Sequence, residues 1–136
     1  MISVSLTSEV PLHDQLVGEL RRLLATGKLT TGDELPPVRQ LANDLGINLN
    51  TVARAYRELT DAGLLASARG RGTIVIATIE RPNGRPADER KRVEHALASA
   101  LTDAKIAGFD EQETRTWLER HIEHLWNSAS TGESNV

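Results

Sequence analysis

A mainly α-helical fold carrying one small β-hairpin is predicted by three observations. A short apolar-periodic segment (Val38, Leu41, Ala42, Leu45) stops at Gly46, and three residues later a longer one begins (Val52, Ala55, Tyr56, Leu59) and stops at Gly63. Two helices joined by a tight glycine-containing turn make a helix-turn-helix. Next, residues 64–67 and the β-branched run 73–76 flank Arg69-Gly70-Arg71-Gly72, the pattern of a two-stranded hairpin with a basic, glycine-rich tip. Finally, two more periodic stretches follow a break punctuated by Pro82 and Asn83-Gly84. The expectation is a winged helix-turn-helix domain at 1–78, a linker at 79–86, a C-terminal two-helix dimerisation hairpin at 87–128 and a disordered tail at 129–136.

The N-terminal elements follow in order. Residues 2–6 alternate and allow a short strand. Pro11 opens the first long helix, whose apolar stripe is Leu12, Leu16, Leu20, Leu23 and Leu24. Proline is tolerated in a first turn because its missing N–H would be unpaired there. Gly27 supplies a left-handed stop, and residues 28–34 read as a polar turn around Gly32. Leu35-Pro36-Pro37 favours an extended approach to the second helix. Pro37 suits a first helical position but has no capping side chain. The third helix, expected over 49–62, has a cap: Asn48 is placed to accept a hydrogen bond from the N–H of Thr51. Its start would also offer free N–H groups to a phosphate.

The outward face of that third helix points to a ligand. At about 100° per residue, Val52, Ala55, Tyr56 and Leu59 share one side. Asn50, Arg54 and Arg57 fall on the other. Such a row fits a major groove with its N-terminal residues at base edges. Asn pairs well with adenine and Arg with guanine. A solvated helix face with arginines would look the same, and the adjoining turn and basic tip are what favour duplex DNA. Arg39, Arg69 and Arg71 suit phosphate contacts, since most protein–DNA hydrogen bonds go to the backbone. The minor groove is an alternative for Arg71. Arg54 either holds Glu58 at helical spacing or faces DNA.

Charge is local. The chain of 136 residues has a formal net charge of −3. Residues 1–78 carry eight basic and eight acidic side chains, while 79–136 carry eight and eleven. Within 39–71, however, five arginines face three acids. That suits a small DNA footprint better than a broad electrostatic surface. Aromatics make up only 3%, so the core must be Leu, Val, Ile and Ala. With no cysteine there is no disulfide framework and no thiolate metal site. A cytoplasmic protein is expected, with no membrane segment and no signal peptide.

In the C-terminal part, Val93, Leu97, Ala100, Leu101 and Ala104 share a face of a helix that begins near Pro86 and ends at Gly108. Asp110 then begins a second helix, with Glu113 at capping-box spacing. Its wide apolar stripe holds Trp117, Leu118, Ile122, Leu125 and Trp126. A hairpin of about 40 residues is too short for a core of its own. Packing on the same hairpin of a second chain is the favoured outcome, because large Trp faces anchor interfaces. The expected dimer interface is therefore Val93, Leu97, Leu101, Trp117, Leu118, Ile122, Leu125 and Trp126. A homodimer would present two reading heads to a two-fold-symmetric site.

The run PLHDQL…LRRLLATGKLTTGDELPPVRQLANDLGINLNTVARAYRELTDAGLLASARGRGTIV resembles the N-terminal domain of GntR-family bacterial transcription regulators. The short two-helix tail, with NLNTVARAY in the recognition segment, looks like the YtrA subfamily, which lacks a large metabolite-binding domain. The resemblance implies a cytoplasmic, dimeric repressor of an inverted-repeat operator. It places DNA contacts at Arg39, at Asn48, Leu49, Asn50 and Thr51, and at the wing residues Arg69, Gly70, Arg71 and Gly72. This sequence departs from the family where Pro37 replaces a usual capping Ser. Leu49 stands where other members have Pro or Arg, so a base contact by Arg is lost there.

No catalytic constellation is visible, and Gly70-Arg71-Gly72-Thr73 lacks the Lys-Ser/Thr ending of a phosphate loop. His95, His121 and His124 are read as polar borders of the apolar stripe rather than as metal ligands. No enzyme activity, metal or cofactor is expected. Two alternatives stand beside the DNA-binding regulator. One is a winged-helix adaptor that binds protein and not DNA. The other is an effector- or metal-sensing regulator that uses the C-terminal helices as its sensor.

Overall fold

The computed structural model describes residues 2–77 and 87–133, with side chains over 89–127 in the second stretch. The chain divides into two compact units, Met1–Ile79 and Glu80–Val136. The linker expected at 79–86 lies outside the described residues. No described helix is long and apolar enough to cross a membrane.

The first unit contains α1 (Leu12–Ala25), α2 (Val38–Leu45), α3 (Leu49–Asp61), β1 (Leu65–Ala68) and β2 (Gly72–Val75). The apolar spacing of α1 buries Leu16, Val17, Leu20, Leu23 and Leu24. Val17 takes a place in the stripe, whereas Leu12 is only half-buried. At its end, the buried Thr26 hydroxyl donates to the Arg22 carbonyl at 2.9 Å. Val52, Ala55, Tyr56 and Leu59 of α3 join Leu41, Leu65 and Val75 in the same core. The third helix thus sits between α1, α2 and β1, which fixes which of its faces stays outside.

Between α2 and α3 the chain turns in three residues. Gly46 has φ of 68°, a conformation that a side chain would strain. Its N–H bonds to the Asn43 carbonyl at 3.3 Å, and that of Ile47 bonds to Ala42 at 3.1 Å. These paired bonds close α2 and release the chain into the cap of α3.

Three further expectations within residues 2–37 are corrected by the hydrogen bonds and the cap seen there. Residues 2–6 form no strand. The Gln15 side chain takes the Ser5 N–H (2.7 Å) and its carbonyl (3.0 Å), the groups a strand partner would need. Residues 28–34 are more than a polar turn. Leu29 and Leu35 are buried, and the segment between them runs along β2. Leu35 N–H bonds to Thr73 at 2.9 Å, Val75 N–H to Asp33 at 2.9 Å and Gly32 N–H to Val75 at 2.8 Å. β2 therefore has partners on both edges, with β1 paired antiparallel from Leu65↔Val75 to Ala68↔Gly72. Last, Pro37 is the cap position of α2 and not its first helical residue.

The second unit is a helical hairpin of α4 (Ala87–Ile106) and α5 (Glu111–Glu133). Phe109 N–H closes α4 on the Ala104 carbonyl at 3.1 Å. Asp110 caps α5 by accepting from the Glu113 N–H at 2.8 Å. Phe109 meets Trp117 edge to face, with ring centroids 4.7 Å apart. The helix α5 continues through 129–133, where composition predicts a disordered tail. That stretch has no proline, and a lone glycine is a weak breaker at about 1 kcal/mol. Residues 134–136 lie outside the described residues.

Candidate nucleic-acid interface

The outer face of α3 carries the predicted row. Asn50, Arg54 and Arg57 are exposed, while Val52 and Ala55 are fully buried and Tyr56 and Leu59 nearly so. Leu49 is 40% exposed at the start of the helix, beside exposed Asn48 and half-buried Thr51. Arg39 is exposed in the first turn of α2. The tie between the two helices is Tyr56, whose hydroxyl donates to the Pro36 carbonyl at 2.6 Å. Burial pushes the Tyr56 phenol up to about 12, because the interior disfavours a phenolate. Helix α3 thus holds the approach to α2, and with it the position of Arg39. Sequence reading placed Tyr56 in the core but missed this bond. The signal available was a phenol, which when buried nearly always finds a partner.

The cap of α3 differs from expectation. Asn48 Oδ1 accepts from Asn50 N–H at 2.7 Å, and Thr51 N–H instead bonds the Asn48 backbone carbonyl at 3.1 Å. An extended Asn48 brings its short side chain to the nearer of the two amides. One consequence is that the start of α3 offers little to a phosphate: Asn50 and Thr51 N–H are satisfied, and among the described residues only Leu49 in that turn has an N–H without a partner. The start of α2 is the opposite case, because Pro37 makes no side-chain cap.

The wing turn joins β1 to β2 through Arg69, Gly70 and Arg71. Gly70 and Gly72 have φ of 80° and 76°, left-handed values that glycine adopts freely. All four residues 69–72 are exposed. The two arginines have different situations. Among the described residues, Arg69 makes no ion pair or side-chain hydrogen bond, and the same holds for Arg39, Arg54 and Arg57. Arg54 therefore does not hold Glu58, which lies 3.9 Å from the His13 ring instead. Arg71 is engaged: its Nε donates to Glu34 at 2.8 Å and a terminal nitrogen donates to the Gly32 carbonyl at 2.9 Å. Nothing in the sequence points to Glu34, because residues 28–34 read as a polar turn with no partner.

On α4 and α5 the expected interface residues form an uncovered apolar face. Val93 is 53% exposed, Leu97 50%, Ile122 52% and Trp126 70%. Leu101 is exposed, and Trp117, Leu118 and Leu125 are half-buried. Leu97, Leu101, Phe109, Trp117 and Leu118 line an open groove of about 450 Å³ between the two helices.

A winged helix-turn-helix with a solvent-facing polar row on its second helix and a basic wing is the architecture of a transcriptional regulator's DNA-binding domain. The particular kind is given by likeness to known proteins. Residues 12–75 match the family described as bacterial regulatory proteins, gntR family. The transcriptional repressor YtrA of Bacillus subtilis is 30% identical over 118 residues, spanning 87% of this chain and 89% of its own. The chain belongs to the GntR family and is YtrA-like along most of its length. A YtrA of Sulfolobus acidocaldarius, a GntR-family transcription factor, superposes with a TM-score of 0.58 at 31% identity, over 74% of this chain and 97% of that one. A transcriptional antiterminator from Listeria monocytogenes shares the fold, with a TM-score of 0.77 over 92% of each chain and 21% identity.

Proposed function

We propose that this GntR-family regulator is a cytoplasmic, homodimeric repressor that reads an inverted-repeat operator. Helix α3 enters the major groove with Asn50 and Arg54 at base edges. The wing at 69–72 lies on the phosphate backbone or in the minor groove. Arg39 contacts phosphate, and Arg57 lies further along the same face. The observation that carries this reading is the row Asn50, Arg54, Arg57, exposed and without internal ion pairs on a helix whose other face is fully packed. The repressor name of the Bacillus subtilis relative supports the direction of regulation. The uncovered face of α4 and α5 supports pairing with a second copy, because no described side chain of that hairpin is buried.

The test uses the DNA upstream of the chain's own gene, searched for an inverted repeat and assayed by mobility shift. Arg39→Ala should weaken binding to every sequence. Asn50→Ala should relax preference at one or two positions, by about 1–3 kcal/mol each. Operator binding that survives both substitutions would overturn the docking. The adaptor reading draws on one observation, the equal numbers of basic and acidic side chains in residues 1–78. Several phosphate contacts predict a steep loss of affinity with added salt, and a flat response would favour the adaptor.

A further inference from the structure

The wing arginines sit close together but are held differently. Arg71 is anchored by two of its five N–H donors, one on the Glu34 carboxylate and one on the Gly32 carbonyl. The carboxylate rides on a stiff segment. Glu34 forms a β-bridge with Ile74, and its neighbours Asp33 and Leu35 are hydrogen-bonded to Val75 and Thr73. The wing turn, by contrast, is built on two glycines and one backbone bond, Arg71 N–H to the Ala68 carbonyl at 2.9 Å. The ion pair therefore links the glycine-built wing turn to the segment paired along its sheet.

For attraction to DNA alone, this acid is a liability. It repels phosphates and cancels one of the two wing charges. What it supplies is orientation. A guanidinium held at two donors presents its remaining donors in one plane, and its rotamers are biased toward that plane before DNA arrives.

We infer that Glu34 is a positioning residue for Arg71, and that the pair exchanges bulk attraction for discrimination between DNA sequences. The inference rests on the operator-reading proposal above. It implies that neutralising Glu34 makes the chain bind any duplex more tightly and its operator less selectively.

The experiment compares the full chain with Glu34→Gln, Arg71→Ala and the double variant. Each is titrated with a duplex enriched by the wild-type chain from a random-sequence pool and with a scrambled duplex of equal composition. Both side chains are 52% exposed, so the variants should melt like the wild type. Glu34→Gln should bind the scrambled duplex about threefold more tightly. Its preference for the enriched duplex should fall about fivefold. Arg71→Ala should lose preference as well, and adding Glu34→Gln to it should cost no further preference. Equal losses in both backgrounds, or an unchanged preference in Glu34→Gln, would overturn the pairing. The Arg71 Nε–H resonance reads the contact in the absence of DNA: it should be protected in the wild type and exchange faster with water in Glu34→Ala, which removes the acceptor, and indifference to that substitution would also refute the inference. A wild-type chain that enriches no duplex overturns the operator reading and the discrimination role with it, leaving the resonance to report the ion pair alone.

Discussion

The two units of this chain solve the burial problem in opposite ways. In the first, three helices and a small sheet close on one another, and every predicted apolar position of α3 is buried. In the second, two longer helices carry less sharply segregated apolar residues, and Val93, Leu97, Leu101, Ile122 and Trp126 among them are exposed. Helical periodicity predicts which face is apolar in both. What covers that face depends on whether a third layer exists within the chain, and α4 and α5 have none in their own unit. A two-helix hairpin has too little interior to offset the entropy of ordering it.

The comparison breaks most visibly at the tryptophans. If a second copy covers the hairpin, replacing Trp117 and Trp126 by Ala removes two large groups per chain from the joint core. Each buried Trp→Ala costs about 3–5 kcal/mol. The loss is doubled by two-fold symmetry, so association should weaken by several orders of magnitude. Sedimentation at micromolar concentration should then show a monomer whose first unit still melts cooperatively. A double variant that stays fully dimeric would show that the interface lies elsewhere.

The converse substitution is Leu59→Ala. This side chain is 1% exposed in the core of the first unit. Truncation there should cost about 2–5 kcal/mol, a large part of the stability of a small domain. The expected outcome is a lower unfolding midpoint for the first unit with the oligomeric state unchanged in the native range. If Leu59→Ala instead dissociated the protein, the two units would share one core, and the contrast drawn between them would fail.

Much of this was legible because the decisive signals are local. Gly46 and Gly63 mark the helix ends, and the spacing of Val52, Ala55, Tyr56 and Leu59 fixes the outward face as well as the inward one. The wing followed from Gly70 and Gly72 beside a β-branched run. What escaped was non-local. The pairing of residues 32–35 with β2 depends on a segment some forty positions away in sequence. A short polar stretch gives no hint of its partner. The Arg71–Glu34 contact inherits that difficulty, since it exists only because the pairing does. The Asn48 cap falls one residue short of the predicted one, because side-chain reach and local backbone angles decide between two adjacent amides. The helical end of α5 was missed for a different reason: composition suggests disorder, but nothing in 129–133 compels a helix to stop.

The smallest expected effect sharpens the same comparison from inside the first unit. Tyr56 is the one tyrosine of the chain, so its phenolate absorbance reports a single group. Its value of about 12 lies above the ordinary phenol range near 10. A group raised in the folded state contributes stability that is whole below its unfolded value and is lost as pH climbs through the folded one. The absorbance midpoint should therefore appear near pH 12, with stability falling from about pH 10 upward. Tyr56→Phe keeps the ring in the core and removes the bond to Pro36, at a cost of about 1 kcal/mol. That variant should lose the alkaline sensitivity and loosen the start of α2, which on the proposed docking weakens DNA binding through Arg39 and leaves the oligomeric state unchanged. A phenol titrating near pH 10 in the folded protein would mean that α3 does not hold α2 in this way, and that the first unit is closed by apolar packing alone.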